Sequence, residues 1–345
     1  MNPETVWPRA PVARAWLKAR PEDFRVTEVL PFTPGGGGEH LWLWMEKRGQ
    51  NTEWVARQLA RWAGIRPRDV GWAGLKDRHA VTRQWFSLWL PGRDDPDPDT
   101  LAVEGVRVLE KVRHGRKLNR GALRGNRFEL ALRQVEGTRS TVEQALTRIG
   151  QEGFPNYFGP QRFGRSGANV AEAFDWAERG GPKVPPAVRA RHLSVLRSMA
   201  FNTVLAERVR QGNWNLMLPG EALALAGSQR LFVDDGSPDL PRRVEGADLH
   251  PTGPLPGEGG LQPHAEALAL EQSVLATLPR LDDIWRRWRV TAQRRPLRVM
   301  AEELTWVWQD EGTLRLSFFL PAGSFATSLL GGVFRLWERL PEKAE

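Results

Sequence analysis

Two hydrophobic periods alternate along the chain. In residues 24–29, Phe24, Val26 and Glu28 fall on one side and Arg25, Thr27 and Val29 on the other, a period of two that predicts a strand. Residues 40–46 (HLWLWME) predict a second strand, after a turn at Gly35–Gly38. A helix is expected to start at Asn51 or Thr52, whose side chains suit an N-cap, with Trp54, Val55, Leu59 and Trp62 as its apolar stripe and Gly64 as its stop. Strands are predicted over 84–90 and 126–135, where Phe128, Leu130 and Leu132 share a face, and a helix over 141–149. Beyond residue 153 helical patterns take over, at 169–179, 194–211 and 264–278. Six Pro and six Gly between 236 and 263 predict a long loop. Strand character returns over 313–320 (TLRLSFFL), followed by a helix from Ser324. The order predicts an α+β fold in which a mostly helical middle is inserted into a discontinuous domain, and the last 45 or so residues return to that domain.

Composition narrows the class. With 41% hydrophobic residues the 345-residue chain can build a core. No run of about 18 apolar residues is present, so no membrane span is expected, and the start of the chain lacks the apolar region of a secretory signal. The absence of Cys excludes disulfides, thiolate zinc sites and a cysteine nucleophile. These features read as a cytoplasmic protein. The six His are not spaced i, i+4, and no carboxylate cluster supports them, so no metal site is expected. Gly35–Gly38 lacks the Gly-Lys-Ser/Thr of a phosphate loop, and DDPDPD at 94–99 reads as a solvated acidic loop.

The net charge of +8 comes from 49 basic and 41 acidic residues, and 42 of the basic residues are Arg. Arg is favoured for planar phosphate recognition, although a GC-rich genome also raises Arg over Lys. Its distribution says more. Residues 105–139 hold ten Arg/Lys against three acids, and 280–298 hold seven Arg against two, which reads as two basic tracts on a nucleic-acid face.

One segment is too dense in chemistry for scaffolding. Residues 70–88 read VGWAGLKDRHAVTRQWFSL and place Gly71, Gly74, Lys76, Asp77, Arg78 and His79 within nine positions. Flanking cations favour the charged form of Asp77, which suits a nucleophile better than a general acid. The alternative is an Asp that caps a turn and pairs with a neighbouring base.

Several pieces of the sequence, in order, resemble the TruD family of tRNA pseudouridine synthases. They are Leu17 to Phe24 (LKARPEDF), Gly74 to Thr82 (GLKDRHAVT), Lys117 to Phe128 (KLNRGALRGNRF), 155–164 (PNYFGPQRFG) and 320–328 (LPAGSFATS). The resemblance implies a pseudouridine-synthase-type mixed sheet in a catalytic domain of residues 1–153 and 300–345, with a mostly helical α+β insertion at 154–299. It implies isomerisation of uridine to pseudouridine in tRNA, at position 13, with no cofactor and no metal. It places the nucleophile on Asp77, its ion-pair partner on Lys18, and residues that hold the target nucleotide on Phe24, Asn126, Phe128 and Phe325. In this family a phenylalanine, here Phe128, takes the place that other synthases give to tyrosine. Aromatic faces can sandwich a flipped base, while the alternative for each Phe is an ordinary place in the core. Two other readings of the chain stay open: a non-catalytic RNA-binding or folding module, and the same chemistry on another RNA.

Asn156, Gln161 and Arg162 have two readings, as contacts to the RNA backbone or as parts of a structural corner. Gly331-Gly332 departs from the charged residues common in relatives and should weaken the last helix. Trp42, Trp44, Trp54, Trp62, Trp85 and Trp89 are expected to be core or half-buried. With no heptad and no long exposed apolar stripe, the chain is expected to be a monomer with no protein partner.

Overall fold

The structure, a computed structural model, describes residues 5–164, 167–279 and 281–338. In chain order the elements are β1 (Ala13–Leu17), β2 (Phe24–Val29), β3 (Gly36–Arg48), α1 (Thr52–Trp62), β4 (Val70–Trp72), β5 (Val81–Trp89), β6 (Val106–His114) and β7 (Gly125–Glu136). Next come α2 (Arg139–Glu152), β8 (Phe154–Pro155), α3 (Pro160–Phe163), α4 (Ala168–Glu178), α5 (Pro186–Arg210), β9 (Ala222–Leu225), β10 (Leu231–Val233), α6 (Leu240–Glu245) and β11 (Leu249–Leu255). The chain closes with α7 (Ala265–Leu275), α8 (Asp282–Arg287), β12 (Gln293–Pro296), β13 (Arg298–Val299), β14 (Glu302–Trp308), β15 (Leu314–Pro321), α9 (Ala326–Gly331) and β16 (Phe334–Glu338). The chain divides into two compact units. Among the described residues, one holds Ala13–Thr138, Ala301–Gly323 and residues 335–338; the other holds residues 5–12, Arg139–Met300 and Ser324–Phe334.

The first unit is built on a mixed sheet of order β14-β15-β7-β2-β5-β3-β6, with β1 joined to β7 and β16, and β4 joined to β5. The β2–β5 pair is parallel and its flanking pairs are antiparallel, so the fold class is α+β with a mixed sheet. The alternation of β3 shows why this sheet has two covered faces. Leu41, Leu43 and Met45 pack with Val55, Ala56, Leu59 and Ala60 of α1, while Trp42 joins Trp85 and Leu118 in a second cluster. Full burial of each such leucine is worth about 1.5–3 kcal/mol. Asn51 caps α1 by accepting from the Glu53 and Trp54 amides at 2.9 and 3.4 Å. The expected turn at Gly35–Gly38 is instead mostly strand, because β3 begins at Gly36, shifts register between Gly36 and His40, and continues through the glycines to His40. Gly38 has φ +124°, and a Cβ there would stand 2.6 Å from the Gly115 Cα, so only glycine fits the close pairing with β6. Of the six tryptophans expected inside, Trp89 is an exception at 38% exposed.

The second unit centres on α5, which is buried along much of its length and packs against α4, α7 and β11. Beside it stands a sheet of order β10-β9-β11-β12. The loop expected over 236–263 is therefore corrected, because it contains α6 and the inner strand β11. Pro241 sits in the first turn of α6, where a backbone N–H would be unsatisfied anyway. Pro251 and Pro254 cost β11 two donors, yet its carbonyls still find partners. Leu297 donates to Pro251 O at 2.8 Å, and the buried Arg294 and Arg298 donate to Thr252 O at 2.8 Å and Leu249 O at 3.0 Å. At the end of the unit α9 stops at Gly331, with Gly332 as its C-cap. The double glycine has a packing reason, since a Cβ on Gly331 would collide with the Trp7 indole.

Candidate active site

Asp77 lies in the segment between β4 and β5, where side chains hold the Lys76 amide and the carbonyls of Gly74, Lys76 and Asp77. Gln84 Nε2 donates to Gly74 O at 3.1 Å. The Lys76 amide donates to Thr52 Oγ1 at 3.0 Å, and that hydroxyl is 3.1 Å from Gln84 Oε1. Thr52 is delivered there as the first residue of α1, so the Asn51 cap also positions the segment. Lys47, buried at the end of β3, donates from Nζ to the carbonyls of Gln50 at 2.7 Å, Asp77 at 2.9 Å and Lys76 at 3.4 Å. Burial pushes the Lys47 ammonium down to about 8; the Asp77 charge opposes this and Lys76 adds to it.

Lys76 Nζ pairs with Glu28 Oε2 at 2.8 Å, with side chains only 4% and 0% exposed. The other Glu28 oxygen accepts the Trp85 amide at 3.2 Å. The Asp77 carboxylate is different, with 43% of its side chain exposed, and Oδ2 accepts from Lys18 Nζ at 2.5 Å. The cations next to Asp77 in the chain are thus spent elsewhere, Lys76 on Glu28 and Arg78 on Gly49 O at 3.2 Å. The cation that does face the carboxylate comes from 59 residues away. Lys18 follows β1 with φ +58°, a left-handed backbone that costs a non-glycine residue roughly 1–3 kcal/mol. Its ammonium also stands 4.4 Å from the centroid of the Phe24 ring.

Phe24 leads to the rest of the expected set. It meets Phe128 edge-on at 6.0 Å, and Phe128 stacks on Phe318 at 5.3 Å. The two expected base-holding rings are 5% and 6% exposed, so each is also part of the core. The register pairs Glu28 with Asn126 and Val26 with Phe128, which puts Asn126 and Phe128 on the sheet face that carries Glu28. Asn126 Oδ1 is buried without a hydrogen-bond partner among the described residues. Lys18, Phe24, Asn126, Phe128 and Asp77 therefore share one unit. Phe325 belongs to the other unit, where its ring lies 6.4 Å from that of Phe158. Among the described residues no cluster of three or more His, Asp or Glu side chains could hold a metal.

Sequence reasoning missed the supporting layer of Glu28, Lys47, Thr52 and Gln84. One signal was present: Glu28 shares the inward-facing side of β2 with Phe24 and Val26, and a carboxylate in an apolar series needs a buried cation. The basic tracts also look different in three dimensions. In the first, Arg113, Arg124, Arg127 and Arg133 pair with Asp95, Glu302, Glu303 and Asp23 at 2.6–2.9 Å. In the second, Arg280 lies outside the described residues, Arg294 pairs with Glu271, and Arg298 serves backbone carbonyls. Much of the local positive charge is thus compensated or structural.

The family model for tRNA pseudouridine synthase D (TruD) matches residues 9–173 and 168–332. The chain is 46% identical to tRNA pseudouridine synthase D of Hydrogenovibrio crunogenus over 327 residues, covering 94% of both proteins. It is 48% identical to the protein of that name from Nitrosococcus oceani over 335 residues, covering 95% of this chain and 92% of the relative. A Methanosarcina mazei crystal structure assigned to tRNA pseudouridine synthase D superposes with a TM-score of 0.71 at 20% identity, covering 95% of both chains, and shows the shared fold. The chain belongs to the TruD family of tRNA pseudouridine synthases.

Proposed function

We propose that this protein isomerises uridine to pseudouridine in tRNA, at position 13, with Asp77 as the nucleophile. The observation that carries this reading is the exposed Asp77 carboxylate, held by Lys18 at 2.5 Å above a backbone pinned by Lys47, Thr52 and Gln84. The reaction breaks the bond from ribose C1′ to uracil N1 and joins C1′ to C5, after which the C5 proton leaves and N1 gains one. An ionised carboxylate can begin this by attack or by taking a proton from the sugar. Lys18 holds the Asp77 carboxylate aimed until the substrate arrives. Phe24 and Phe128 offer apolar surface on which a detached uracil can turn, and Asn126, with an unpaired oxygen, can accept a hydrogen bond from the nucleotide. Phe325 is assigned to the same nucleotide on the family resemblance alone.

The reading includes a cytoplasmic monomer. No described helix is long and apolar enough to cross a membrane, and the exposed large apolar side chains, such as Phe32, Leu75 and Val307, are scattered along the sequence. The test is to map pseudouridines in tRNA after incubation with wild type and Asp77→Asn. Wild type should modify one uridine, at position 13, and the folded variant none. Equal modification by the variant would remove Asp77 from the chemistry, and no modification by wild type would remove the enzyme assignment.

A further inference from the structure

The segment Pro155 to Gly164 divides into two kinds of residue. Asn156 is structural: buried, it donates to Pro296 O at 2.8 Å and accepts Arg295 Nη2 at 2.5 Å. Phe158 is a fixed platform, because its amide donates to Asn202 Oδ1 at 2.9 Å while its carbonyl accepts from Asn202 Nδ2 at 3.0 Å. Two guanidinium groups lie on that platform, Arg295 at 4.1 Å and Arg162 at 5.4 Å from the ring centroid.

Arg162 is oriented by Ser194, whose Oγ accepts from Nη1 at 2.9 Å. No carboxylate among the described residues is within ion-pair distance of Arg162. Of the other buried arginines of this unit, Arg208 is compensated by Glu221 and Arg294 by Glu271, while Arg298 is held by the carbonyls of Val244 and Leu249. Burial pushes Arg162 below its ordinary value, and Arg295 is pushed down to about 9 by burial first and then by the charge of Arg162. Two like charges on one ring, with no carboxylate among the described residues beside Arg162, define a place for an anion.

We infer that Arg162 and Arg295, on the Phe158 platform beside Phe325, form a subsite for a phosphodiester group of the RNA. The inference rests on the RNA-modifying function proposed above. Arg162 offers a planar fork that fits two phosphate oxygens, and Arg295, anchored through Asn156, supplies the second charge.

The experiment measures binding of a tRNA transcript against KCl concentration for wild type, Arg162→Met, Arg162→Lys, Arg162→Gln and Ser194→Ala, with pseudouridine formation followed in parallel. Neutralising one phosphate contributes about 0.7–0.9 to the slope of log K against log salt. Arg162→Met and Arg162→Gln should lower the slope magnitude by that amount and raise KM more than they lower kcat. Arg162→Lys should keep the slope and bind more weakly, because the charge stays while the fork is lost. Ser194→Ala should keep the slope too. A wild-type slope in Arg162→Met overturns the inference. Should the Met variant not fold, equal slopes in the Gln and Lys variants overturn it. These results leave the enzyme assignment standing whenever wild type forms pseudouridine, whereas a wild type that neither binds nor modifies tRNA overturns both.

Discussion

Replacing Lys76 by Met tests whether the buried pair beneath Asp77 holds the segment in place. The pair is 2.8 Å long and its side chains are 4% and 0% exposed, so solvent screens it little. Removing the ammonium leaves Glu28 with the Trp85 amide at 3.2 Å as its remaining donor among the described residues. Breaking a buried pair from one side costs about 3–5 kcal/mol, because a charge stays buried without its partner. The double variant Lys76→Met/Glu28→Gln removes both charges and should recover at least about 2 kcal/mol of that loss. Urea denaturation measures the difference as a shift in midpoint at unchanged m, and hydrogen exchange at the Trp85 amide reports the same loss locally. Turnover should return with stability in the double variant, since the Lys76 ammonium is spent on Glu28. A cost below about 1 kcal/mol for the single variant, or a double variant less stable than the single, would refute the reasoning.

Lys18→Met should abolish turnover while changing stability by less than about 1 kcal/mol, since its partner is part-exposed; Lys18→Gly should be more stable than Lys18→Met by roughly 1 kcal/mol because φ +58° suits glycine, measured by denaturation and tRNA modification. Lys47 is protonated below about 8 against an ordinary 10.5, so between those values the unfolded chain holds the extra proton and this group's contribution to stability rises with pH. Activity should move the other way, falling through pH 8 as the charge under the Asp77 carbonyl is lost, and Lys47→Met should lack both trends. Asn51→Ala should cost about 1 kcal/mol in denaturation and lower turnover as well, because the cap places Thr52 under Lys76.

The parts of this protein legible in its sequence are those set by local periodicity. The stripe Val55, Leu59 and Trp62 with Asn51 before it is enough to place α1, and the alternation Phe128, Leu130, Leu132 is enough to place β7. The proline-rich stretch around β11 misled because its compensation is distant: the arginines that serve its carbonyls come 42 and 49 residues later. The site divides the same way. Asp77 stands out by the density of chemistry around it and Lys18 by family resemblance, yet chain neighbours were the wrong guide to charge, since Lys76 turns inward to Glu28. Lys47 carries no local signal, because its role exists only where β3 passes beneath the segment between β4 and β5.

The central claim is that Asp77 carries out the isomerisation. Forming the bond from C1′ to C5 must expel the C5 hydrogen, so tRNA labelled with tritium at uridine C5 releases label to water in step with the reaction. Wild type should release one equivalent per tRNA, and Asp77→Asn, folded and still binding tRNA, should release none. Release from the variant at the wild-type rate would contradict the account.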